Sequence, residues 1–98
     1  MKVKIHKTYR DVVSICDSDL VGKTFQEGDF QLDVKENFYN GEEVDEKKLF
    51  KIINNMSIED STFNIIGKES TQTALKAGII SKEGIKKIQD IPFSLVLL

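Results

Sequence analysis

The chain has 98 residues, of which 40% are hydrophobic and 31% charged, and its formal net charge is −2. This balance is typical of one globular domain with a modest core, and it excludes a disordered chain and a large multidomain enzyme. No apolar run approaches the roughly 20 residues of a membrane helix, and the N-terminus lacks the apolar region of a signal peptide. We therefore expect a single cytoplasmic domain, residues 1–98, with no membrane partner.

The chain contains one cysteine, Cys16, and one histidine, His6. These numbers exclude a disulfide framework and a Cys/His zinc site. Cys16 ends an apolar run, which favours a buried structural role over a nucleophilic one. His6 shares a two-residue period with Lys4 and Thr8, so we expect it to be solvated on the polar face of a strand. We predict no metal, no cofactor and no catalytic residue.

The first half of the chain has the patterns of strands and turns. A first strand holds Val3, Ile5 and Tyr9, and a second spans residues 12–17. After a loop at 17–23, alternating residues predict strands at about 23–27 and 30–35, joined by the turn Glu27-Gly28-Asp29. These two strands form an acidic hairpin. Residues 37–41 are predicted to form a turn whose aromatic side chains fold back onto the sheet.

The second half has helical periodicity. Leu49, Ile53 and Met56 share one face of a predicted helix over 46–56, and Asp45 is its expected N-cap. A strand is expected over 61–66 and a weaker one over 85–88. A second helix is predicted over 68–77, ending before Gly78.

The last residues, 93–98, form a nearly continuous apolar strand. An exposed apolar edge is an aggregation hazard, so this strand should lie centrally in the sheet or pair with another subunit, which predicts a homodimer. The expected fold class is α+β, with a mainly antiparallel sheet built from the N-terminal strands, two helices and this C-terminal strand.

Residues 17–24, DSDLVGKT, differ by one residue from the phosphate-binding motif G-x-x-x-x-G-K-[ST], because Asp17 replaces the first glycine. A carboxylate beside a phosphate is unfavourable, and strand alternation follows Thr24 where a P-loop needs a helix. The segment also fails as a calcium loop, since Val21 and Gly28 occupy ligand positions. A loop leading into a β-hairpin explains it better.

Charge is distributed unevenly along the chain. Residues 1–10 hold four basic residues and no acid, whereas residues 11–46 hold eleven acids and two lysines. The favoured interpretation is internal complementarity, with the N-terminal strand beside the acidic hairpin; the alternative is a surface that attracts a basic partner. Because no dominant basic face is evident, there is no strong direct signal for nucleic-acid binding.

Two groups of residues are candidates for binding. A strand-to-helix junction over 64–70 would offer free backbone N–H groups to an anion, although a tight glycine turn with local capping explains it more simply. Its candidate ligands are Asn64, Gly67, Lys68 and Ser70. The loop and hairpin offer a surface to a basic partner. Its candidate residues are Asp17, Asp19, Lys23 and Glu27.

The order of several short segments resembles an uncharacterised archaeal family, domain of unknown function 424. The similar segments are residues 15–17, 20–25, 27–28, 32–34, 38–41, 64–69 and 74–80. The resemblance implies a cytosolic archaeal protein with a compact fold of its own and no established activity. Phe93 follows Pro92 where the family often has a histidine, so a catalytic role for that histidine would be absent here.

Two functions follow as hypotheses. The preferred one is a non-enzymatic binding module that uses its acidic hairpin to contact a basic protein or a ribonucleoprotein assembly such as the translation apparatus. The alternative is a small ligand-binding protein or enzyme with an anion, such as a phosphate, at the 64–70 junction.

Overall fold

The computed structural model describes residues 1–57 and 60–97. The strands are β1 (Lys2–His6), β2 (Asp11–Cys16), β3 (Thr24–Glu27), β4 (Phe30–Asp33), β5 (Glu42–Glu43), β6 (Ser61–Ile66), β7 (Lys86–Ile88) and β8 (Ile91–Leu97). The helices are α1 (Glu36–Tyr39), α2 (Glu46–Ser57) and α3 (Lys68–Ala77). This confirms the predicted α+β class and both long helices. In these two ranges no helix is long and apolar enough to cross a bilayer.

Six strands form one mixed sheet in the order β5-β1-β2-β6-β8-β7, while β3 and β4 pair in a separate hairpin. The central strands β2 and β6 run parallel, and the other neighbours are antiparallel. Parallel strands need a long crossover, which the segment containing α2 supplies. The N-terminal strands β1 and β2 lie in this mainly antiparallel sheet, as predicted, whereas the hairpin stays outside it and packs its partly buried residues Phe25 and Leu32 against the second core.

One face of the sheet is covered by α2 and α3. Leu49 of α2 and Phe63 of β6 are fully buried in the core on this side. The carboxylate of Asp45 accepts a hydrogen bond of 2.8 Å from the amide of Lys48, which confirms the predicted N-cap. Gly78 ends α3 in the left-handed conformation, with a φ of 80°.

The opposite face, which we call the α1 face, is covered by α1 and the hairpin over part of its area. Cys16 of β2 and Ile66 of β6 pack there with Val34 and Tyr39 in a second core. Asn64 of β6 lies on the same face, two residues before Ile66. Asn64 lines two surface recesses, so part of the α1 face stays open.

Strand β8 lies between β6 and β7, as the prediction of a central strand requires. Its pairing with β7 ends at Phe93, whereas its pairing with β6 continues to Leu97. Leu95 and Leu97 remain 63% and 71% exposed. The last residue of the predicted strand, Leu98, lies outside the described residues.

Three local predictions are corrected by the structure. Tyr9 is not in the first strand, because β1 ends at His6, and its side chain is fully exposed. Residues 37–41 include the end of a one-turn helix rather than a turn alone, although Tyr39 does fold back into the core. Strand β1 lies beside β5 and not beside the acidic hairpin, since the short strand β5 completes its open edge.

Candidate functional site

The carboxylate of Asp17 occupies the N-terminal end of α3. Asp17 follows β2 directly, and because β2 is parallel to β6, both strands end at the edge of the sheet where α3 begins. Its Oδ1 accepts hydrogen bonds from the amide and the hydroxyl of Ser70, both at 2.8 Å, and its Oδ2 accepts one from the amide of Glu69 at 3.1 Å. A negative charge is favoured at this end of a helix. The protein thus supplies its own anion to α3.

Gly67 makes this contact feasible. Its φ of 112° lies in a region that glycine alone adopts readily, and a Cβ at this position would lie 2.2 Å from Cγ of Asp17. Its amide donates to the carbonyl of Pro92 at 2.8 Å, and its carbonyl accepts from the amide of Thr71 at 2.9 Å. Gly67 is therefore needed for both the backbone conformation and the close approach of Asp17.

The structure separates the four residues that the sequence groups as an anion site. Gly67 and Ser70 lie together at the start of α3, but two of the donors there, the amides of Glu69 and Ser70, already bind Asp17. Lys68 is exposed beside another recess, and Asn64 lies on the α1 face. An external phosphate would have to compete with Asp17, the residue that also replaces the first glycine of the phosphate-binding motif.

The acidic hairpin (β3, β4 and their turn) presents exposed side chains to solvent. Phe30, at the turn, is 73% exposed, and the neighbouring Glu27 and Asp29 are exposed as well. Glu27 accepts a hydrogen bond of 3.1 Å from the amide of Gln89, which fixes the hairpin to the turn between β7 and β8. The hairpin is therefore held against the rest of the domain by this hydrogen bond.

The other predicted residues of this surface divide into two groups. Asp19 and Lys23 are exposed in the loop that leads into the hairpin, and Glu27 is exposed at the end of β3. Asp17 is only partly exposed, and its carboxylate faces α3. Three of the four predicted partner-binding residues are thus accessible to a large partner.

A cleft of about 520 Å³ lies between α1 and the open part of the α1 face. It is lined by His6, Asp33, Lys35, Asn37, Phe38, Tyr39 and Asn64. The His6 ring stacks on Phe38 with a centroid separation of 4.3 Å and an interplanar angle of 15°. His6 is therefore only partly exposed to solvent, because α1 brings an aromatic side chain over the strand. The sheet residue Ser14 donates to the Phe38 carbonyl at 2.8 Å and so ties α1 to the sheet.

Two buried groups between the hairpin and the sheet resist ionisation. Burial, with a further contribution from the charge of Asp17, raises the pKa of the Cys16 thiol to about 12, which supports the structural role predicted for it. Burial and the nearby Cys16 raise the pKa of Tyr39 to about 12. Both groups are neutral at physiological pH. Among the residues that the structure describes, no three His, Cys, Asp or Glu side chains cluster as metal ligands would.

Sequence reasoning did not identify the cleft, because its residues come from β1, β4, α1 and β6 and form no motif. One signal was available. The pair Phe38-Tyr39 was expected to fold back onto the sheet, and any strand side chain beneath it then becomes part of a concave surface. His6 and Asn64 could have been placed there only with the strand order in hand.

Comparisons with other proteins place the chain in a family. A crystal structure of an uncharacterized conserved protein from Methanopyrus kandleri has a TM-score of 0.81 and 22% sequence identity to it, covering 98% of this chain and 89% of that one. At this identity the likeness shows a shared fold. No curated protein matches the chain. The family model described as "Protein of unknown function (DUF424)" matches residues 5–98. The chain therefore belongs to the DUF424 family.

Proposed function

We propose that this protein is a non-enzymatic binding module that uses the acidic hairpin to contact a basic protein or the basic protein surface of a ribonucleoprotein assembly. The observation that carries the proposal is Phe30, which is 73% exposed between carboxylates at the hairpin turn. A large exposed aromatic side chain is a typical anchor of protein interfaces, and it also attracts Lys and Arg side chains through its ring face.

The charges around this aromatic residue favour a basic partner. Glu27 and Asp29 flank the turn, and Asp19 is exposed in the preceding loop. Exposed charges of this kind contribute more to the rate and the selectivity of association than to affinity. We therefore assign the anchoring contact to Phe30 and the choice of a basic partner to the carboxylates.

The alternative function, an enzyme or ligand-binding protein with an anion at the 64–70 junction, has weaker support. The amides of Glu69 and Ser70 donate to Asp17, so a phosphate would replace an existing carboxylate rather than fill an empty site. The acidic hairpin requires no such displacement.

The experiment is affinity capture from archaeal lysate on the immobilised protein at low and high salt, with the captured proteins identified by mass spectrometry. We expect one basic protein, or one basic assembly, to be retained at low salt and released at high salt. Phe30→Ala and Asp29→Lys should each abolish its capture. Tyr9→Ala is the matched control, because Tyr9 is also an exposed aromatic residue but lies next to Arg10. Failure to retain anything at low salt, or equal capture by Phe30→Ala, would refute the proposal.

We also propose self-association through β8. The strand lacks a β7 partner beyond Phe93, and Leu95 and Leu97 are exposed on the α1 face. Static light scattering should give the mass of a dimer, and Leu95→Lys should reduce it to that of a monomer. A monomeric mass for the unmodified protein would exclude this dimer.

A further inference from the structure

The cleft beside α1 is lined by a largely buried tyrosine whose hydroxyl is not paired within the described part of the protein. Tyr39 is only 9% exposed, and its hydroxyl has no hydrogen-bond partner among the described residues. Within those residues, Ser61 Oγ is the single fully buried side-chain oxygen or nitrogen without a partner, so the Tyr39 hydroxyl is not sealed off from solvent. Tyr39 lines the cleft, and a hydroxyl without an internal partner on a largely buried side chain is suited to a bound ligand.

Two further polar groups at the cleft are also available. The Nε2 atom of His6 lies 2.9 Å from the Phe38 carbonyl, and because a carbonyl can only accept, this nitrogen must carry the hydrogen. The Nδ1 atom has no partner within the described part of the chain. The side chain of Asn64 likewise makes no hydrogen bond there, which leaves an amide with both donors and an acceptor.

The aromatic lining of the cleft favours a flat ligand. The stacked rings of His6 and Phe38 form one side of it. An apolar recess of about 180 Å³ adjoins it, shares Tyr39 and Asn64 with it, and is also lined by Phe93 and Leu95. A planar ring at this position would contact aromatic and aliphatic carbon while its polar edge faced the amide and the hydroxyl.

The charged residues at the rim of the cleft indicate which other groups the ligand carries besides a flat ring. Asp33 and Lys35 both line the cleft, and they form no ion pair with each other in the described structure. Val34 between them is fully buried, so the charged side chains of Asp33 and Lys35 flank a buried residue at the edge of the cleft. A ligand that carries hydroxyl groups and one anionic group would pair with both.

We propose that this cleft binds an adenine nucleotide through its base. The amide of Asn64 pairs with the exocyclic amine and ring nitrogen of adenine, a pairing that Asn makes well, and the Tyr39 hydroxyl completes the recognition of the base. Lys35 pairs with the phosphate and Asp33 with the ribose hydroxyls. A volume of about 520 Å³ lies within the range of small-molecule sites. The base can belong to a free nucleotide or to an unpaired nucleotide of RNA, since the contacts are the same.

The test is a titration followed by NMR amide chemical shifts, with AMP, ribose 5-phosphate and a short oligoadenylate as separate probes. We expect AMP to shift the residues around Tyr39 and Asn64, and ribose 5-phosphate to bind about tenfold more weakly or not at all, because it lacks the base. Oligoadenylate that binds about tenfold more tightly than AMP identifies RNA as the source of the base. Equal or weaker binding of the oligonucleotide identifies the free nucleotide.

The variants separate this site from the rest of the surface. Asn64→Ala and Tyr39→Phe should each weaken AMP binding about tenfold or more. The matched controls are Asn54→Ala on the exposed side of α2 and Tyr9→Phe in the bend after β1, which should bind AMP like the unmodified protein. If neither AMP nor oligoadenylate binds, or if ribose 5-phosphate binds as tightly as AMP, the proposal is wrong. Because Phe30→Ala leaves the cleft intact, failure here does not affect the proposed hairpin interface.

Discussion

The start of α3 and the cleft beside α1 contain similar polar groups, but the two regions differ in whether the protein itself pairs them. At the start of α3, the hydroxyl of Ser70 and two backbone amides all donate to Asp17. In the cleft, the hydroxyl of Tyr39 and the amide of Asn64 have no partner among the described residues. The first region is occupied by Asp17, a residue of the segment that resembles a phosphate-binding motif. The second has no motif and is the region whose polar groups are available to a ligand.

The largest expected effect tests the close contact at the start of α3. Gly67→Ala should lower the free energy of unfolding by about 3 kcal/mol, since it combines an unfavourable backbone conformation with a contact of 2.2 Å to Asp17. Urea denaturation followed by circular dichroism measures the loss. Gly78→Ala is the control, because Gly78 has a φ of 80° but a Cβ added there would meet nothing within 4 Å, so it should lose only about 1 kcal/mol. Equal losses would show that Asp17 is not close to Gly67.

The next effect tests the internal anion. Asp17→Ala should cost about 2 kcal/mol of stability, because it removes a charged cap that accepts three hydrogen bonds. Asp19→Ala, in the same loop but exposed, should change stability by less than about 0.5 kcal/mol.

The Asp17→Ala variant also tests whether the start of α3 can bind an external anion once Asp17 is removed. Without Asp17, the amides of Glu69 and Ser70 become free, so added phosphate should raise the melting temperature of Asp17→Ala and leave that of the unmodified protein unchanged. Stabilisation of the unmodified protein by phosphate would support the anion site that the sequence suggested.

A smaller effect concerns Cys16, which lies between the two regions. The pKa of its thiol is near the ordinary value of 9.0 in the unfolded chain but about 12 in the folded protein, so the unfolded state loses its proton first as pH rises. The contribution of this thiol to stability should be constant below about pH 8 and lower by about 1.4 kcal/mol at pH 10, and Tyr39, whose pKa is also raised, should add a smaller loss in the same direction. Denaturation curves across this pH range measure how the free energy of unfolding changes with pH. Cys16→Ala should be less stable at neutral pH but flatter between pH 8 and 10, and an unchanged slope would contradict the assignment.

The smallest effect compares the two hydroxyls directly. Ser70→Ala removes a hydroxyl that donates to Asp17 at 2.8 Å and should cost about 1 kcal/mol. Tyr39→Phe removes a hydroxyl without a partner in the described structure and should change stability by less than about 0.5 kcal/mol. Chemical denaturation of both variants under one condition is the measurement. A comparable loss in Tyr39→Phe would reveal an internal partner and remove the argument for a ligand.

Much of the secondary structure followed from local patterns. The helix over Lys68–Ala77 and the strand over Ser61–Ile66 have the predicted bounds, because apolar spacing and a terminal glycine act within a few residues. The cap at Asp45 was likewise predictable from the sequence, since it involves residues only three apart. The placement of the hairpin outside the main sheet was not readable, because it depends on which faces remain uncovered after the sheet assembles.

The sequence by itself determined the α+β class, the two long helices, the burial of Cys16 and the family to which the chain belongs. These depend on periodicity and on short segments that keep their order along the chain. Only the tertiary structure decided that Asp17 caps α3, where it binds Ser70, a residue 53 positions further along the chain. The same holds for the cleft that His6, Tyr39 and Asn64 line together. The physical reason is that both sites join residues distant in sequence, and the parallel pairing of β2 with β6 brings those residues to the same edge and face of the sheet.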